Sequence, residues 1–279
     1  MRILDTHLHL IYPDKLSYPW LSGVPKLNKP WTIESYWKEA EPLGIEAMLH
    51  MEVDVAETEI AAETSFVLGV HPRVIGAIAN CRPERNDFPA QLERLTALGN
   101  LRGIRRLLQG QPPELAEDEM FLENLRLLPG HGLTFDICLK SHELAVAEKL
   151  IPACPGVQFI LDHCGNPKIG EGEWEPWAGH ITRIAKNPNV VCKVSGILAN
   201  VREGWTVADI RPYVEHIIAA FGWDRVVWGS DHPVVTLFAD LTRWVNATRE
   251  IISGASDDEQ AKLLHRNGER IYGVTGRGK

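Results

Sequence analysis

Ile3-Leu4-Asp5-Thr6-His7-Leu8-His9 begins as a short apolar run and ends in two histidines two positions apart. Residues i and i+2 of a strand share a face, so the spacing predicts a strand whose end aims both imidazoles at one point. More than two hundred residues later, Val226-Val227-Trp228-Gly229-Ser230-Asp231-His232-Pro233 follows the same plan, an apolar run leading into ionisable groups. Two histidines and a distant carboxylate can bind a divalent metal or relay a proton.

Between these ends the apolar runs recur. Strands are predicted at 2–6, 46–51, 74–79, 102–107, 133–138, 157–162, 190–194 and 225–229. Helical patterns are clearest at 32–43, 55–65, 88–98, 118–128, 142–151, 174–185 and 207–221. A last helix lies within 256–272, with Ser256 as its N-cap three residues before Glu259. Strands alternating with helices predict a parallel sheet, and the number of strands predicts a closed (β/α)8 TIM-type barrel, α/β in class. An open doubly wound sheet is the rival, but histidines follow the first strand where that fold carries a glycine-rich phosphate loop. No linker or repeat divides the chain, so residues 1–279 are expected to form one domain. Segment 11–29, with three prolines, reads as a long loop over the barrel's active face.

The bulk composition narrows the function. The chain has 279 residues, 44% hydrophobic and 24% charged, as in an ordinary soluble globular protein. A net charge of −8 provides no basic excess for nucleic acid. No apolar run approaches membrane-spanning length and no signal-like segment opens the chain, so neither a nucleic-acid nor a membrane partner is expected and the location is expected to be cytoplasmic. The five cysteines lack paired CxxC spacing and are expected to be buried thiols.

Barrel enzymes work at the C-terminal ends of their strands. Those ends here carry His7 and His9, then His50 and Glu52, then Arg105 and Arg106. Asp136 with Lys140 as a further candidate, Asp162-His163, Lys193 with Ser195, and Asp231-His232 complete the series. A purely structural barrel has no need of so many polar ends. Strand alternation sends Arg105 and Arg106 to opposite faces, and Arg105 is chosen for the pocket. Asp136 and Lys193 are equally readable as a structural ion pair.

Five ordered blocks carry a resemblance. They are Leu4-Asp5-Thr6-His7-Leu8-His9, Gly103-Ile104-Arg105-Arg106-Leu107, Leu161-Asp162-His163-Cys164-Gly165-Asn166-Pro167, Cys192-Lys193-Val194-Ser195-Gly196 and Gly229-Ser230-Asp231-His232-Pro233. With the ending Asn267-Gly268-Glu269-Arg270-Ile271-Tyr272-Gly273, the chain resembles the amidohydrolase superfamily. Within it, the likeness is to the amidohydrolase-2 branch of sugar-lactone and pyrone-dicarboxylate hydrolases. The resemblance implies hydrolysis of a cyclic ester, with a neutral sugar lactone favoured over a dicarboxylate because only one arginine is placed at a strand end; Tyr18, Trp20 and Trp31 of the first long loop would then stack on a sugar face or anchor the loop. It implies Asp231, His163 and Arg105 as catalytic groups, and Arg105, Asp136, Lys193 and His232 as substrate-binding ones. His7, His9, His163 and Asp231 would hold one divalent ion, Zn or Mn, if a metal is bound; metal-independent catalysis stays open.

Two departures from the branch stand out. Lys140 lies too late to be the bridging lysine of binuclear members and is expected outside the pocket, and His232 stands where tryptophan is usual. A metal-dependent decarboxylase of an aromatic or unsaturated acid is the alternative activity, and a barrel that merely binds a carboxylate is the non-catalytic one. The expected partner is a small-molecule lactone; oligomeric state is left open.

Overall fold

Eight short strands are hydrogen-bonded in sequence order, every pair parallel: β1 (Ile3–Leu8), β2 (Ile45–Met51), β3 (Val74–Asn80), β4 (Leu101–Leu107), β5 (Thr134–Cys138), β6 (Gln158–Leu161), β7 (Val190–Val194) and β8 (Val226–Trp228). They were determined in a computed structural model that describes residues 1–275, so the last four residues of the expected 1–279 unit lie outside the described residues. The sheet curls into a (β/α)8 barrel. β8 meets β1 through the isolated parallel bridge Leu8↔His232 and the hydrogen bonds Thr6 Oγ1 to Trp228 O (2.7 Å) and Asp231 N to His7 O (2.9 Å).

Asp5 fastens that seam. Its carboxylate accepts from His7 N at 3.0 Å, Ser230 N at 2.8 Å and the Tyr36 hydroxyl at 2.5 Å, all in the interior. One buried side chain thus joins the backbones that carry His7 and Asp231. The β1–β2 register also shifts between Asp5 and Leu8, a local irregularity of the kind that re-aims side chains near active sites.

Strand alternation sorts two cores. Leu4, Leu49, Ile78, Ile160, Val191 and Val227 fill the barrel together with Tyr272, while Ile104, Phe135, Phe159 and Val194 belong to the larger layer that packs against the helices. The helices are α1 (Ile33–Ala40), α2 (Ile60–Gly69), α3 (Phe88–Thr96), α4 (Glu119–Leu125), α5 (Ala145–Ala153), α6 (Trp177–Ile184), α7 (Val207–Phe221) and α8 (Leu241–Ile251). The C-terminal helix begins at the expected Ser256 cap, with Glu259 returning to the Ser256 backbone. It is interrupted by a π turn at Lys262–Arg266 before ending as Asn267–Ile271. Residue patterning cannot show such a turn, because it shifts the face by only one position.

The expected 55–65 helix instead occupies Ile60–Gly69, preceded by a 3-10 turn at Glu57–Glu59. The first long loop contains a 3-10 turn at Pro19–Gly23 and is tied back by the Ile11↔Trp31 bridge. All five cysteines are free and buried. Among the described residues no helix is long and apolar enough to cross a membrane.

Candidate active site

A cavity of about 490 Å³ opens over the C-terminal ends of the strands. His9, Arg105, His163 and Asp231 line it, with Trp20 from the first long loop. Among the described residues, four of the six non-glycine residues with positive φ also line it: Asp54 (47°), His163 (57°), Asn166 (51°) and Asp231 (56°). The left-handed region is costly for such residues and collects at functional sites.

His7 and His9 converge as their spacing predicts, Nε2 to Nε2 at 3.2 Å. The Asp231 carboxylate joins them, Oδ1 lying 3.7 Å from His7 Nε2 and 3.5 Å from His9 Nε2. Bonds of about 2.0–2.1 Å at tetrahedral angles place ligand atoms roughly 3.3 Å apart. The three separations bracket that value, so this N,N,O set fits one divalent cation with an open position. His9 Nδ1 lies 3.0 Å from the carbonyls of Met51 and Glu52. Carbonyls only accept, so Nδ1 carries the proton and Nε2 keeps its lone pair turned toward the cluster. Burial holds His7 well below the ordinary histidine range and takes His9 down to about 3, which keeps both rings neutral as ligands must be. Burial raises Asp231 to about 6, against the opposing pull of His163 and Arg105.

His163, expected as a fourth ligand, stands outside that triad. Its nitrogen groups instead with His7 and Asp162. Nδ1 lies 3.0 Å from Ser195 Oγ, and the ring fills the space above Gly196. A Cβ on Gly196, whose φ is +54°, would lie 2.1 Å from His163 Nδ1. Gly196→Ala is therefore expected to displace the ring and lower kcat by about 10²-fold, the scale of a 1 Å misplacement. Steady-state kinetics alongside a thermal melt would check this.

Arg105 enters the barrel, while Arg106 turns out to Glu84 at 2.8 Å. The Arg105 fork is already engaged: Nε donates to Glu52 Oε1 at 2.6 Å, Nη2 to Glu52 O at 2.9 Å, and Nη1 faces Asp162 Oδ2 at 3.6 Å. It is thus not free to clasp a substrate carboxylate, although it lines the cavity. Burial disfavours its charge, but Glu52 and Asp162 more than offset this and hold it ionised.

Three residues expected to bind substrate do not line the cavity. Asp136 and Lys193 are wholly buried in the barrel beneath the triad. There Lys193 Nζ contacts Asp136 Oδ2 at 2.5 Å and Asp162 Oδ1 at 2.9 Å, and the Tyr272 hydroxyl donates to Asp136 at 3.0 Å. Lys193 Nζ also lies 3.3 Å from His7 Nδ1. Burial works against the lysine's charge, yet the two carboxylates raise its pKa well above normal. Burial likewise pushes Asp162 up, but Lys193 and His7 bring it well below the carboxylate range. The pair supports His7 from behind. Lys193→Met would strand two buried carboxylates and is expected to cost about 3–5 kcal/mol, measurable as a lower urea midpoint. His232, the third, packs between Trp31 and Tyr36 at 5.2 and 5.1 Å between ring centroids, away from solvent.

The lining also holds groups that the sequence had placed elsewhere or not singled out. Lys140, expected outside, is on the cavity wall, as are Asp54, Asn166, Lys168 and Asn200. They lie in loops beyond the strands, where periodicity carries no signal. Only their position just after a strand could have pointed to them.

The amidohydrolase family pattern matches residues 4–274, and the chain belongs to that family. The y4mH protein of Sinorhizobium fredii is 31% identical, with 98% of each chain covered. The L-fucono-1,5-lactonase of Burkholderia ambifaria is 27% identical over 77% of this chain and 79% of its own. Among solved structures, an amidohydrolase from Burkholderia multivorans with bound zinc superposes with a TM-score of 0.89 at 20% identity, covering 99% of this chain and 100% of that one.

Proposed function

We propose that this protein hydrolyses a lactone, a sugar lactone in the finer reading, with residues 1–279 acting as one barrel unit. The observation that carries the proposal is the convergence of His7, His9 and Asp231 at the base of a cavity that can hold a small ring. The lactonase name of a 27% identical relative supports the same reaction class.

Ester opening needs an activated water, a stabilised carbonyl oxygen and a proton for the departing ring oxygen. In this proposal Asp231 takes the proton from water as the water oxygen bonds to the carbonyl carbon. When the carbon–ring-oxygen bond breaks, Asp231 returns that proton to the leaving alkoxide. His163 faces the cavity and donates to the developing oxyanion, the task for which fixed donors in a dry site are most effective, while Arg105, its fork held by Glu52 and Asp162, lends its positive charge from the cavity wall. One water is consumed, and the product is an open-chain hydroxy acid. His7, His9 and Asp231 would hold a divalent cation, zinc or manganese, which supplies Lewis acidity and acidifies water when bound. Lys193 and Asp162 fix the His7 ring from behind, and Asp5 fixes the seam between its strand and that of Asp231.

Turnover in 18O-labelled water tests the reading. One label in the new carboxyl group is expected from attack at the carbonyl. Release of CO2 from an aromatic acid, with no ring opening of any lactone, would overturn it in favour of a decarboxylase.

A further inference from the structure

The cavity wall across from the reacting triad is built differently from the rest. In an eight-stranded barrel ordered β1 to β8, the ends of β5 and β6 lie opposite those of β1 and β2. The triad belongs to β1 and β8, and Asp54 follows β2. Lys140 follows β5 and Lys168 follows β6, and both line the cavity. Its facing walls therefore carry opposite charge.

The two lysine loops are tied together. Glu173 accepts from Ser141 Oγ at 3.0 Å and from Lys168 N at 2.7 Å, so a single carboxylate bridges the loops. Asn166 Nδ2 donates to Leu139 O at 2.7 Å, a second tie between the same segments. The ammonium groups are left with little internal neutralisation. Among the described residues Lys140 is in no ion pair, and Lys168 meets only Glu171, 3.6 Å away on a carboxylate that is 72% exposed. The cavity's other cation, Arg105, is already matched by Glu52 and Asp162.

We infer that Lys140 and Lys168 form an anion-binding subsite, and that the substrate is a lactone bearing a free carboxylate on the side of the ring remote from its ester. This rests on the lactonase reading and narrows it. The carboxylate docks on the β5–β6 wall and turns the ester carbonyl toward His163 and Asp231. Seating the anion there also keeps it away from Asp54 and Asp231, which would repel it. A polyhydroxylated ring with a carboxylate fits this wall and takes the place of the neutral sugar lactone expected from the sequence.

The test compares kcat/KM for matched lactones with and without a ring carboxylate, in the wild type, in Lys140→Met/Lys168→Met and in Lys140→Arg/Lys168→Arg. Calorimetric titration with glutarate, as a simple dicarboxylate probe, accompanies it. The wild type is expected to favour the carboxylated member. The methionine pair should lower that preference about tenfold, the size two partly exposed charge pairs supply together, and the arginine pair should restore most of it. Equal use of both members, with a preference ratio untouched by the methionine pair, would overturn the subsite while leaving lactone hydrolysis intact. No lactone turnover, with glutarate binding that still depends on the lysines, would overturn the lactonase reading and keep the subsite. Neither turnover nor lysine-dependent binding would overturn both.

Discussion

Asp231→Asn is expected to lower kcat on a turned-over lactone by roughly 10²–10⁴-fold, the range general-base groups contribute. Asparagine keeps the size and one oxygen of the side chain but cannot take a proton from water. The effect should fall on kcat, with KM changing far less, because asparagine matches aspartate in size and the rest of the cavity lining is unchanged. Burial raises the Asp231 carboxyl to about 6, so losing its charge adds no buried ion and the variant should fold. Pre-steady-state and steady-state rates, with a melt to verify folding, check the expectation. Wild-type-like turnover in the folded variant would remove Asp231 from the base role.

Stripping divalent metal with a chelator is expected to cost roughly 10²-fold or more in turnover, since Lewis-acid stabilisation is worth several kcal/mol. Added zinc or manganese should restore it. The same claim has a readout apart from activity. His9→Asn removes one of the three converging groups while leaving the barrel core in place, so the purified variant should retain far less metal by elemental analysis than the wild type. The His9 ring is fixed by two carbonyl acceptors at 3.0 Å, so its lone pair is already aimed before any ion arrives. Equal metal content in wild type and variant would show that the three side chains do not hold the ion.

Much of this molecule was readable from residue order, for physical reasons. Parallel strands buried on both faces appear as apolar runs, and the runs at the ends of the chain lead straight into His7, His9 and Asp231. Alternation also separated Arg105 from Arg106 correctly by face. Alternation reports which face a side chain takes, but not how deep in the barrel it lies. Asp136 and Lys193 point inward as expected, yet they occupy the packed layer under the site and pair with each other and with Asp162. A shift of one or two positions in a strand end is enough to move a residue between layers. His232 was misplaced for a related reason. It follows the last residue of β8 closely, but its bridge to Leu8 turns the ring toward α1 and away from the cavity. Lys140 was expected outside the pocket and Lys168 went unnamed, because loop conformation, rather than periodicity, brings both to the wall.

Acid release from a panel of neutral and carboxylated lactones, followed with a pH indicator using metal-replete protein, tests the central claim most directly. The account predicts one proton released per ring opened at neutral pH for at least one lactone, with the release abolished in Asp231→Asn. Absence of acid release from every lactone in the panel would contradict it.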